Sequence, residues 1–353
     1  MKKPALLLAL AVLLPAGTAR ADFVQDVGSP LPTGVSPYSV AAAELNGDGR
    51  PDVAAANGTE SSVSIFLRAA GGGFFQEASS PVPGISGASD LAVGDFNGDG
   101  KRDLAVAGYT DGGNGGFVLL RKADNSGFAQ EGGVLPIPST NTVAVADLDG
   151  NGRSDLVFGS LGANSVYYAL RNAANTGFNA PVQLPSVGQK PVVAIGDFTG
   201  DRQPDIVSAS WTSPASFDLW VQNDNHTFTE APASPFDVDK EAYGMAVADF
   251  NKDGRLDVAL GDNPNDKVVV MLGNGAGGFA RERAYPVGDG PIGVETADFN
   301  SDGRPDLAVA NQAGKRVTVL LRTPGGFVND RSSPILTNQA ATGIATADFD
   351  ADK

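Results

Sequence analysis

The stretch Gly94-Asp95-Phe96-Asn97-Gly98-Asp99-Gly100-Lys101-Arg102-Asp103-Leu104-Ala105-Val106-Ala107 decides the fold, because the chain writes it seven times. The first acids of the copies are Glu44, Asp95, Asp147, Asp197, Asp249, Asp298 and Asp348. They recur at intervals of roughly 50 residues, which is the mark of a repeat architecture and not of two unrelated domains. A short apolar run precedes each acid, as in Leu91–Gly94 and Val294–Ala297. A second follows the loop, as in Val53–Ala56 and Leu307–Ala310, and a third alternates with period two, as in Val63, Ile65, Leu67 and Val317, Val319, Leu321. A Gly-Phe turn (Gly73-Phe74, Gly127-Phe128, Gly278-Phe279) then leads to a weaker fourth run. Four short strands per unit define an all-β fold, a β-propeller of four-stranded blades.

Six units are complete and the seventh breaks off after its first strand. The expectation is a seven-bladed ring with an incomplete last blade, the alternative a six-bladed ring with a remnant strand. The residue before each first acid is Ala or Gly (Ala43, Gly94, Ala146, Gly196, Ala248, Ala297, Ala347). That is expected where inner strands crowd toward the axis. The residue after it is Leu or Phe (Leu45, Phe96, Leu148, Phe198, Phe250, Phe299, Phe349), read as a peg between blades.

The acidic loops read as Ca²⁺ sites. Oxygen side chains stand at positions 1, 3, 5 and 9, with a backbone carbonyl available at 7 and Gly at 6 for the sharp turn. Ca²⁺ takes six to eight hard oxygen ligands, and this alternation aims them at one point. The sets are Glu44, Asn46, Asp48, Asp52; Asp95, Asn97, Asp99, Asp103; Asp147, Asp149, Asn151, Asp155; Asp249, Asn251, Asp253, Asp257; and Asp298, Asn300, Asp302, Asp306. The fourth loop, Asp197, Asp201, Asp205, has Thr199 at position 3 and Arg202 in place of Gly. About five ions are expected, with a sixth in question. The seventh loop ends at Lys353 without its closing Asp.

These residues resemble the FG-GAP/VCBS repeat, which builds bacterial secreted propellers and is similar to the integrin α-subunit N-terminal propeller. The resemblance runs over about residues 23 to 353 and implies Ca²⁺ at the loops just named. It says little about the ligand, since such propellers serve in adhesion, in glycan binding and as appendages of enzymes.

Lys2, Lys3, the apolar run Ala5–Leu14 and Ala19-Arg20-Ala21 form a secretory signal over residues 1–21, with the propeller as one domain over 22–353. The expected location is secreted, periplasmic or at the cell surface. No other run is long and apolar enough to span a bilayer. Asp+Glu at 41 against Lys+Arg at 25, a net charge of −16, argues against a nucleic-acid partner. There is no Cys and a single His, His226, in a turn, which excludes thiolate chemistry and any His-based metal cluster.

The loops joining second to third strands must share the face opposite the acidic loops, and they vary where the acidic loops do not. Variable loops on a rigid scaffold are where ligands bind. Tyr109 and Trp211 lie there as candidates for stacking on a sugar or partner. Glu295 stands where the other copies have Ala (Ala41, Ala92, Ala144, Ala194, Ala246, Ala345), placing a carboxylate near the axis. With every recurrent carboxylate assigned to a loop and no Ser-His-Asp set available, the sequence predicts no enzyme. It predicts a binding or adhesion module for an extracellular protein or glycan, of unstated oligomeric state. The alternatives are a lectin-like or polysaccharide-processing propeller, and a structural appendage of a longer protein.

Overall fold

The computed structural model describes residues 30–34, 36–109, 113–184, 192–211, 216–238, 241–337 and 339–349. The signal segment lies outside them, as do Asp350 and Asp352 of the seventh loop. The described chain forms six antiparallel sheets in sequence order. In the second blade, Ala88–Gly94, Asp103–Gly108 and Asn114–Arg121 pair in succession, and the last then pairs with both Phe128–Gln130 and Leu135–Pro138. The second strand of every blade is fully buried, from Asp52–Asn57 to Asp306–Asn311. These middle strands read as apolar runs because a blade is covered on both faces by its neighbours. The only helix among the described residues is a 3₁₀ turn, Asn263–Asn265.

The molecule is therefore an all-β propeller of six blades, and the seven-bladed expectation is corrected. Residues 342–349 do run at a seventh inner position, between the sixth blade and the first. Thr342 Oγ1 donates to the Pro37 carbonyl at 2.8 Å, and Thr346 Oγ1 to that of Thr296 at 3.5 Å. Ile344 packs with the sixth-blade core, while Ala345, Ala347 and Phe349 pack with the first. This segment pairs with no strand among the described residues, so it wedges the ring without making a blade. The sequence counted a motif, whereas a blade requires the hydrogen-bonded partners that follow it.

The aromatic pegs hold neighbouring blades together. Phe96 meets Phe178 of the next blade at 5.9 Å between ring centroids, Phe250 meets Phe327 at 5.5 Å, and Phe349 meets Phe74 at 5.6 Å across the closure. At the two copies where the residue before the acid is Gly, the neighbouring blade accounts for it. A Cβ on Gly94 would sit 2.7 Å from Val145 Cγ1 and 2.8 Å from Ser154 Oγ, and one on Gly196 would sit 2.5 Å from Leu256 Cδ1. The next blade leaves no room there.

A second tie is ionic. Arg121 reaches back to Glu77 at 2.7 Å, Arg171 to Glu131 through both guanidinium nitrogens, and Arg322 to Glu282 at 2.9 and 3.0 Å. Each Arg also lies over a Phe of its own blade, 4.9 to 5.1 Å from the ring centroid. Breaking a buried pair strands one charge in the interior. Arg171→Met is expected to cost about 3–5 kcal/mol in denaturant unfolding, and Glu131→Leu added to it to restore most of that. Equal stability of wild type and the single variant would show that the pair contributes nothing.

Candidate active site

The acidic loops share one backbone design. Asp95 Oδ1 accepts from the Gly98 N–H at 2.7 Å and its Oδ2 from the Gly100 N–H at 2.8 Å. Asn97 Oδ1 accepts from the Asp99 N–H and Asp99 Oδ1 from the Lys101 N–H, both at 2.9 Å. The bond from the sixth N–H to the first acid recurs at Asp147, Asp197, Asp249 and Asp298, while Glu44 accepts instead from the Asn46 and Asp48 N–H groups through Oε1. Position 6 is left-handed in each of the six loops whose sixth residue is described, with Gly100 at φ 80°. Arg202 adopts the same conformation, φ 69°, so the fourth loop keeps the backbone of the others despite lacking its Gly.

The closing Asp has a structural role that the sequence did not reveal. Asp103 is fully buried. Its Oδ2 accepts from the Phe96 N–H at 3.0 Å and its Oδ1 from the Arg121 N–H at 2.7 Å, tying the loop to the third strand. Asp52, Asp155, Asp205, Asp257 and Asp306 do the same. Burial, helped by the other carboxylates of each loop, pushes Asp52, Asp103, Asp155 and Asp257 up to about 6 and Asp306 to about 7. In the third loop the carboxylate oxygens of Asp147, Asp149 and Asp155 lie within 4.8 Å of one another. Three hard acidic oxygens gathered so closely, beside a fixed turn, fit a divalent cation such as Ca²⁺.

Those raised values have a sign. Because the folded carboxyls hold protons that the unfolded chain releases, the metal-free protein gains stability as pH falls from about 7 toward 3.8. The melting midpoint in chelator is expected to be higher at pH 5 than at pH 8. Saturating Ca²⁺ should reverse that order, since it binds the ionised loops. An identical trend with and without Ca²⁺ would separate the titration from metal binding.

The opposite face carries a cavity of about 1080 Å³ on the propeller axis, lined by the starts of the inner strands and by the loops between second and third strands. Tyr109, Trp211 and Glu295 all line it, brought together from three blades. Tyr109 is half-exposed, and its N–H donates to the Gly87 carbonyl at 2.8 Å. Gly87 sits at φ 60°, and a Cβ there would collide with the Tyr109 carbonyl. Trp211 stacks on Tyr243 at 4.8 Å and 13°. Tyr38 joins the rim, also half-exposed, against Gly58.

Asp90 belongs to the same cavity and was missed in the sequence. It stands five residues before Asp95, where the other copies carry Ser39, Thr142, Val192, Gly244, Gly293 and Gly343. Aligning the repeats at that position would have exposed it as the one acid. Its Oδ1 accepts from Ser39 Oγ of the first blade at 2.7 Å, and its Oδ2 from the Val143 N–H of the third at 3.0 Å. Burial raises its pKa. Burial, and then the charge of Asp90, pushes Glu295 up to about 7. Two carboxylates from the second and sixth blades thus face one channel, outside the metal-type loops. His226 sits in a turn at φ 59° and does not line the cavity.

The chain belongs to the FG-GAP-like repeat family, whose model matches residues 44–106, 95–158, 147–208, 197–260, 249–309 and 298–353. No curated protein matches the sequence. In shape the chain is similar to a Bacteroides uniformis protein described as a candidate 6-phosphogluconolactonase (TM-score 0.68, 14% identity, 91% of this chain and 90% of that one). It is similar to a Bacteroides fragilis protein described in the same way (0.66, 13%, 95% of each). The periplasmic gluconolactonase of Pseudomonas aeruginosa is a third (0.60, 16%, 92% and 96%). At these identities the likeness concerns the fold. It nevertheless corrects the prediction of no enzyme: propellers of this shape are named as lactone hydrolases. The argument from the recurrent carboxylates does not reach Asp90 and Glu295, which stand outside the repeat pattern. No helix among the described residues is long and apolar enough to cross a membrane.

Proposed function

We propose that the chain is an exported, calcium-stabilised propeller that binds a sugar derivative in its axial cavity and hydrolyses it there. The observation that carries this reading is Glu295, raised to about 7 and facing Asp90 inside an aromatic-rimmed cavity. A carboxyl whose pKa lies near the working pH serves as both base and acid. Tyr38, Tyr109, Trp211 and Tyr243 offer flat faces for the apolar sides of sugar rings. Ser39, Ser89, Asn141 and Thr142 offer hydrogen bonds to hydroxyls.

In the hydrolysis of a sugar lactone, ionised Glu295 takes a proton from water as the water oxygen bonds to the carbonyl carbon. The ring C–O bond then breaks, and the same proton passes to the leaving oxygen, giving the hydroxy acid. Asp90, fixed by two neighbouring blades, orients the substrate. The names of the similar propellers add weight to this chemistry. Ca²⁺ would be held by the acidic loops on the far face, where it neutralises their carboxylates and fixes the turns. Its role is in stability and not in the reaction.

The test is a screen of sugar lactones and oligosaccharides, following acid release and new reducing ends. Turnover of at least one, lost in Glu295→Gln, is the expected result. Binding of a sugar without turnover would remove the hydrolytic half of the reading, and no binding at all would remove both.

A further inference from the structure

We propose that the sugar taken by the axial cavity is an amino sugar, its ammonium group held by Asp90 with Glu295 across the channel. The inference rests on the reading of the cavity as a sugar site and adds its charge class. Asp90 and Glu295 are the charged residues of the described lining, which includes no Lys, Arg or His. Everything else there is apolar, hydroxylic, amide or aromatic. Among the described basic residues near this face, Lys267 lies 3.5 Å from Asp262 and Arg316 lies 3.1 Å from Asp289, while Lys190 and Lys240 lie outside the described residues. Neither Lys267 nor Arg316 lines the cavity.

A phosphorylated or uronic sugar would meet two acidic side chains in this channel and, among the described lining residues, no cation to balance its charge. An ammonium meets the opposite situation. Asp90 accepts from Ser39 Oγ and the Val143 N–H, with the Leu91 N–H also beside it, and a carboxylate has about four lone-pair sites. The carboxylate lines the cavity with acceptor capacity to spare. The carboxylate is already oriented by two other blades, so little is lost in ordering it when the ligand binds. The aromatic rim favours a cation on its way in. The chain's net charge of −16 draws cations toward it and keeps anions away. Similarity of shape to proteins described as acting on a phosphorylated lactone therefore does not extend to this lining.

The test is calorimetric titration at near-neutral pH with four trisaccharides: fully deacetylated chitotriose, its N-acetylated form, cellotriose and trigalacturonate. Chitotriose is expected to bind at least about tenfold more tightly than cellotriose or the acetylated form, and trigalacturonate most weakly. Asp90→Asn, similar in shape, should abolish the preference while cellotriose still binds. Glu295→Gln, which leaves the three-strand tie of Asp90 intact, should reduce it, and melting curves report whether either variant is folded. Equal or tighter binding of cellotriose or trigalacturonate to the wild type would overturn the amino-sugar inference and leave the sugar site standing. Failure of all four to bind would remove the sugar reading itself.

Discussion

In chelator the protein is expected to melt about 3–10 °C below its midpoint in millimolar Ca²⁺. A site adds about 0.4 kcal/mol to the folded state when the ion stands at its dissociation constant and about 1.4 kcal/mol at ten times that concentration. Extracellular loops of this kind bind at roughly 10⁻⁴–10⁻³ M, so millimolar Ca²⁺ works within that range. Five loops together add about 2–7 kcal/mol, a large share of the stability of an ordinary domain. The scale of the effect comes from how each loop is built. Its carboxylates repel one another, and its closing Asp is buried beneath them. Without a cation that Asp is held by two backbone N–H groups and forced toward protonation. Scanning calorimetry with bound ions counted on the same sample checks the expectation. Asp149→Asn should remove one ion from the third loop and leave the fold intact. Asp155→Asn should also weaken the tie to the Leu148 and Arg171 N–H groups and lower the midpoint further. A midpoint indifferent to chelator would mean that the turns stand on their own hydrogen bonds.

The second large effect is on turnover. Glu295→Gln is expected to lower kcat by about 10²–10⁴-fold on the substrate found by screening, the usual range for losing a general acid–base group. Amide and carboxyl are nearly equal in size, so the cavity and the melting midpoint should be preserved. The pH profile carries the sign. Below about 7 the Glu295 carboxyl is protonated and cannot take a proton from water, so the rate should rise with pH through that value. Asp90→Asn removes the neighbouring charge that raises Glu295 and should shift the limb to lower pH. Unchanged kcat and an unchanged profile in Glu295→Gln would place the chemistry elsewhere.

Much of this molecule was legible in its sequence, and the reason is physical. A repeated unit folds by rules local to itself. Alternation in Val63, Ile65, Leu67 marks a strand, and the Asp95 to Asp103 spacing marks a turn that gathers oxygens. The pegs such as Phe96 and Phe250 were readable because every copy pays the same packing requirement at its junction with the next. Strand alternation also placed Tyr109 and Trp211 on the face opposite the acidic loops, where the cavity lies.

What remained hidden depends on contacts between distant parts of the chain. Six blades instead of seven follows from residues 342–349 lying unpaired between Thr296 and Pro37, a matter of hydrogen-bond partners that no motif count supplies. The closing Asp looked like a ligand alone, because its bonds to the Phe96 and Arg121 N–H groups exist only once three strands have assembled. Asp90 and Glu295 break the repeat at different positions in different blades. Closing the ring brings their charges within reach of each other, and burial on the axis then raises both. Local periodicity thus determined the blade and its loop, while the axial site arose from ring closure, which sets unlike residues of separate blades around one cavity.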